Sequence, residues 1–206
     1  YNIPYRMPLM RGHGTRPEDL IGVTWHDWYA DANAAFNDLR REVEQVIVVG
    51  LSMGGLVAAH LAAARAREVV GLVTIAPAMR FYYKYADHAR YFAPVMGMWG
   101  DEDRDMGATW HDQEAGRRHG NYRRFPAPAF VSLWRYAQVV EQQLPRIQAP
   151  VLIIHSHADR TIPGTASEQI FQKVSSTDKE LAWFERSGHE MLRDSEAAQV
   201  LFTATI

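Results

Sequence analysis

The sequence predicts an α/β chain built on a mostly parallel sheet flanked by helices, because short apolar runs alternate along it with stretches of helical periodicity. Two runs and the segment between them carry this expectation. Val46, Ile47, Val48 and Val49 form a compact β-branched run that ends at Gly50. Such a continuous run suits a strand covered on both faces, as in a parallel sheet. A second run, 69–76, stops before Pro77. Between them, 56–67 is rich in alanine and leucine and has no proline, so it reads as a helix.

The other elements follow in order. Residues 1–10 read as a short extended piece, and 11–19, rich in Gly, His, Pro and charge, as a loop. A helix comes next: Thr24 and Asp27 resemble a capping box, and Trp28, Ala32, Ala35, Phe36 and Leu39 recur at three- and four-residue spacing. Over 80–144 the pattern changes to aromatic clusters, a polar stretch at 100–124 and a helix at 129–143, which together read as a small inserted cap. Strand signals resume at 151–155, after Pro150, and at 181–184, with a helix at about 167–174 between them. With 206 residues, 47% of them hydrophobic, the chain closes one sizeable core and is short for two. A single domain over 1–206 with 80–144 inserted is the expectation.

Composition narrows the function. The 22 basic and 24 acidic residues leave a net charge of -2 and are interspersed along the chain, so no field builds up that would draw in nucleic acid. The chain has no cysteine, which excludes disulfides, thiolate catalysis and sulfur-ligated zinc. No apolar run approaches the roughly 20 residues that span a bilayer. No signal peptide is visible from Tyr1 onward. The expectation is a soluble, cytoplasmic protein without a membrane span.

The most informative stretch is Gly50-Leu51-Ser52-Met53-Gly54-Gly55, a G-x-S-x-G motif between an expected strand and an expected helix. A chain that reverses this sharply puts its central residue in a strained conformation, and side chains at 50 or 54 should collide with the turn. Ser52 is therefore the candidate nucleophile. The following helix aims its N-terminus at the place where negative charge would develop, making the Met53 N–H a candidate oxyanion donor.

A serine hydroxyl needs a histidine to take its proton and an acid to hold that histidine's tautomer. On a strand–elbow–helix scaffold the chain order is nucleophile, acid, histidine. Of nine histidines only His189, in Ser187-Gly188-His189-Glu190, lies beyond the last expected strand. Asp159, after the strand at 151–155, is the matching acid; an Asx turn or helix cap is its blander role. The remaining polar clusters read as structural. His26 suits capping or packing, His13 a loop position near the site, and His155 with His157 lacks a third ligand for a metal. Asp101, Asp103, Asp105 and Asp112 have Met106 where a calcium loop needs glycine, so they read as a solvated acidic turn. Phe81, Tyr82, Tyr83, Tyr85, Tyr91 and Phe92 suit either an acyl pocket or the packing of a small cap.

With these residues assembled, the chain resembles the bacterial carboxylesterase and monoacylglycerol lipase branch of the α/β-hydrolases. The likeness runs through Arg11-Gly12-His13-Gly14-Thr15, Trp25-His26-Asp27-Trp28, the elbow, Ala149-Pro150-Val151-Leu152-Ile153-Ile154, the Asp159 loop and Ser187-Gly188-His189. It implies Ser52 as nucleophile, Asp159 as acid, His189 as base and Met53 as one oxyanion donor. It also implies a helical cap over a hydrophobic acyl pocket, and a small-molecule ester or lipid substrate of short to medium acyl length. Members of that branch begin with a strand and a His-Gly loop whose next residue supplies the second oxyanion N–H. No such segment precedes Tyr1, so the fold is expected to lack its N-terminal strands, either as a fragment or with a differently built oxyanion hole. The C-terminal helix, ending at Ile206, is expected to be short. The implied activity is carboxylic ester hydrolysis through an acyl-enzyme, with no cofactor or metal. The alternatives are a thioesterase or carbon–carbon hydrolase using the same triad, and a catalytically impaired or silent binding module.

Overall fold

A computed structural model describes residues 3–82, 88, 91, 93, 96–100, 103, 105, 107 and 110–194. Four strands, β1 (Val46–Leu51), β2 (Val69–Ile75), β5 (Val151–Ser156) and β6 (Lys179–Phe184), form one parallel sheet in the order β1-β2-β5-β6. All four carboxyl ends therefore emerge along one edge, where loops of distant sequence meet.

Helix α1 (Trp25–Leu39) begins as expected, with the Asp27 carboxylate accepting the Thr24 N–H at 2.9 Å. Its buried stripe is Trp28, Ala32, Phe36 and Leu39. Helix α2 (Met53–Ala64) starts three residues earlier than its composition suggests, because the elbow passes directly into it. Helix α4 (Ala127–Gln143) takes Pro128 in its first turn, where a missing N–H costs nothing. Helix α5 (Thr165–Lys173) joins β5 to β6.

Alternate residues of the strands divide the core. Val46, Val48, Leu72, Val151 and Ile153 face a large cluster to which α1, α2, α4 and α5 all contribute. The other face carries a smaller cluster of Val73, Ile75, Ile154 and Met191, with Leu51, Leu152, Ala182 and Phe184 packed against it. Strand β1 departs from the expected two-sided burial: Ile47 is 62% and Val49 56% exposed. These two side chains project to the second face beyond the reach of its small cluster, so an apolar run alone overstated the strand's burial.

Within 80–144, α4 packs its inner face on the body of the fold, with Tyr136, Ala137 and Val140 in the main cluster. Within the polar stretch before it, and at its two ends, lie three elements the sequence did not signal. Strands β3 (Met98–Gly100) and β4 (Arg124–Pro126) pair antiparallel, and α3 (Gln113–Arg118) lies between them in the chain. Three-residue strands are too short to display a two-residue period. Among the described residues no helix is long and apolar enough to cross a membrane.

Candidate active site

The elbow holds its serine under strain. Ser52 has φ 55° and ψ -117°, outside the regions an L-residue favours. Hydrogen bonds on both sides fix this geometry: Ser52 N–H donates to Ile75 O at 2.8 Å, and Ser52 O accepts Ala78 N–H at 3.1 Å. The neighbouring Ala76, at the end of β2, also has a positive φ of 41°. The Ser52 side chain makes no capping bond to α2, so its hydroxyl is not committed to the helix. Met53 is the first residue of α2, where backbone N–H groups have no intrahelical acceptor and carry the positive end of the helix dipole.

The motif's glycines differ from expectation. A Cβ on Gly50 would lie 2.0 Å from Gly54 O, and one on Gly55 would lie 3.1 Å from Pro77 Cβ. A Cβ on Gly54 would meet nothing within 4 Å. Only the backbone of Gly54 crowds the turn, and the expected collision of its side chain does not occur.

Asp159 and His189 come together from loops 30 residues apart. Asp159 Oδ2 accepts His189 Nδ1–H at 2.8 Å, while Oδ1 accepts the amides of Thr161 at 2.7 Å and Ile162 at 2.9 Å. The turn role and the histidine contact thus belong to the same carboxylate, one oxygen each. Asp159 is 3% exposed. Burial works to raise its pKa, but the hydrogen bond and charge of His189, with the amides of Ile162 and Thr161, outweigh it and hold the carboxyl below its ordinary range. An ionised Asp159 keeps the His189 proton on Nδ1 and leaves the Nε2 lone pair free.

Ser156, which sequence reasoning passed over, and His155, which it weighed only as a metal ligand, complete this arrangement. Ser156 Oγ, at the end of β5, donates to Ser187 O two residues before His189. His155 sits behind the acid, fully buried, with Nδ1 2.7 Å from Ser167 Oγ and Nε2 3.1 Å from Ile162 O and 3.5 Å from Asp159 Oδ2. Burial pushes its pKa down against the pull of Asp159 and the Ile162 carbonyl. Both His155 nitrogens are thus engaged, and His157 stacks separately on Trp183 at 4.4 Å. No group of three metal-ligating side chains exists among the described residues.

The other expected positions resolve into structure. His26 stacks on Trp25 at 3.6 Å, and His13 meets the edge of Trp28 at 5.9 Å. Asp105 pairs with Arg117, and Asp112 caps α3 by accepting the amides of Glu114 and Ala115. Phe81 packs edge-on against Phe130 at 5.1 Å, Tyr82 lines a cavity of about 360 Å³ with Ser156, His157 and Trp183, and Tyr91 is exposed. Neither Ser52 nor His189 lines that cavity. Tyr83, Tyr85, Phe92, Asp101 and Met106 lie outside the described residues, as does the expected C-terminal helix.

Comparison with known proteins bears on the family and the fold. Residues 10–196 fit the family model described as serine aminopeptidase, S33. The chain is 29% identical over 196 residues to a thermostable monoacylglycerol lipase of Bacillus sp. strain H-257, covering 95% of this chain and 75% of that protein. It is 22% identical to a carboxylesterase of Bacillus subtilis strain 168, covering 92% and 74% of the two. A solved structure from work on LipS and LipT, two metagenome-derived lipolytic enzymes, superimposes with a TM-score of 0.81 at 29% identity, covering 96% of this chain and 78% of that one. The chain is a hydrolase of the α/β-hydrolase superfamily and belongs to the serine aminopeptidase S33 family.

Proposed function

We propose that the chain is a serine ester hydrolase that cleaves carboxylic esters, of short to medium acyl length or monoacylglycerols, through an acyl-enzyme on Ser52. The observation that carries this reading is the 2.8 Å bond from His189 Nδ1 to the buried Asp159, on the same sheet edge as the strained Ser52. His189 Nε2 takes the Ser52 proton as Oγ adds to the ester carbonyl carbon, and the oxygen that becomes anionic accepts the Met53 N–H. The imidazolium then gives its proton to the departing alcohol. Water, deprotonated by the same nitrogen, attacks the acyl carbonyl; the bond to Ser52 Oγ breaks, the acid leaves, and the imidazolium returns its proton to Oγ. Residues 80–144 act as the cap, with the β3–β4 ribbon and α3 preceding α4, which returns the chain to the body.

Relatives named lipase and carboxylesterase support an ester over the peptide in the family's description. The test is a panel of p-nitrophenyl butyrate, a monoacylglycerol, an acyl thioester and an aminoacyl p-nitroanilide, together with labelling by a fluorophosphonate. The expected result is turnover of the first two and labelling abolished in Ser52→Ala. An intact chain that neither labels nor turns over any of the four defeats the proposal.

A further inference from the structure

Asp194 is fully buried, yet its partners among the described residues are backbone amides and one hydroxyl, not a cation. Its Oδ2 accepts the N–H of Gly188, the residue immediately before His189, and lies 3.5 Å from Ser187 Oγ. The same oxygen accepts His111 N–H at 3.0 Å, and Oδ1 accepts Asp112 N–H at 2.7 Å. Asp112 in turn caps α3. One carboxylate therefore holds two peptides of the inserted segment, 82 and 83 residues away in the chain, and the Ser187–Gly188 peptide just before His189.

The arrangement has a consequence for the base. Ser156 fixes Ser187 through its carbonyl, and Asp194 fixes Gly188 through its amide, so the backbone before His189 is held from both sides. Met191, 1% exposed, anchors the chain after it in the second apolar cluster. An imidazole must be held within a fraction of an ångström to face an acid and a nucleophile together. Only a carboxylate supplies acceptors on both oxygens; an amide of the same shape turns an N–H toward an N–H.

Resting on the hydrolase reading, we propose that Asp194 is a positioning residue for His189 and that it makes the placement of the base depend on the inserted segment. The test compares the wild-type chain with Asp194→Asn. In the wild type, the amides of Gly188, His111 and Asp112 exchange slowly with deuterium and the His189 Nδ1–H gives a sharp downfield proton resonance. In a folded Asp194→Asn chain, all three amides exchange faster together and that resonance broadens or vanishes. The kcat for p-nitrophenyl butyrate falls on the order of 10²-fold, while KM changes by less than about 3-fold. A variant that melts earlier but keeps wild-type kcat and the Nδ1–H signal overturns the proposal and leaves Asp194 a purely structural residue. Should the variant not fold, unprotected Gly188, His111 and Asp112 amides in the wild type overturn it equally. A wild-type chain with no ester turnover that still shows the coupled loss of protection and signal in the variant contradicts the ester-hydrolase reading and supports the positioning role.

Discussion

At the scale of single residues, Gly50 and Gly54 share one motif and meet opposite constraints. The backbone of Gly54 occupies the space where a Gly50 side chain would stand, whereas the Gly54 side-chain direction opens into free space. Gly50→Ala therefore forces the turn apart, with an expected loss of more than about 3 kcal/mol in unfolding free energy. Gly54→Ala adds a good helix former to α2 and is expected to shift stability by less than about 1 kcal/mol, in the stabilising direction. Urea denaturation of the two variants beside the parent measures both. Equal destabilisation would show that the motif excludes side chains for some reason other than this contact. Asp159 teaches a related lesson: its turn-forming and histidine-binding roles were rival readings in sequence, and a carboxylate with two oxygens fills both.

At the scale of elements, β1 shows how far a hydrophobic pattern can be read. Val46 to Val49 are all apolar, but Val46 and Val48 are buried and Ile47 and Val49 are not. Val48→Ala is expected to cost about 2 kcal/mol, because it removes methyl groups from a packed cluster. Ile47→Thr, which keeps β-branching on an exposed face, is expected to change stability by less than about 0.5 kcal/mol. Denaturant midpoints decide the matter, and a large loss from Ile47→Thr would mean that the second face of β1 is covered in solution. The strand and helix runs with clear periods were legible at this scale. β3, β4 and α3 were not, since three to six residues fix too few positions for a period to emerge.

At the scale of the whole molecule, the buried titratable groups set the response to acid. His155 is buried with its pKa pushed below its ordinary value of 6.5, first by desolvation. Its neutral form therefore contributes stability that is complete above 6.5 and is lost as pH falls toward the lower folded value. His60, half-buried and depressed by burial in the same direction, adds to that window. Asp159, held below its ordinary 3.8, contributes stability that is present above 3.8 and is lost as pH falls through its folded value. The urea midpoint is expected to fall in two stages on acidification, and His155→Gln is expected to remove part of the upper stage while leaving the lower. An unchanged profile in that variant would show that His155 does not titrate on unfolding.

The sequence by itself determined the alternation of strand and helix, the elbow at Ser52, and the order in which Asp159 and His189 follow it, because each is written in local spacing, glycine placement or chain order. Tertiary structure alone decided which face of β1 is covered, that His155 backs Asp159, and that Asp194 joins the His189 loop to a segment more than 80 residues earlier. The Asp194 contacts run to backbone amides, which every residue but proline possesses. A side chain that binds them leaves no pattern in the sequence until folding brings its partners within reach.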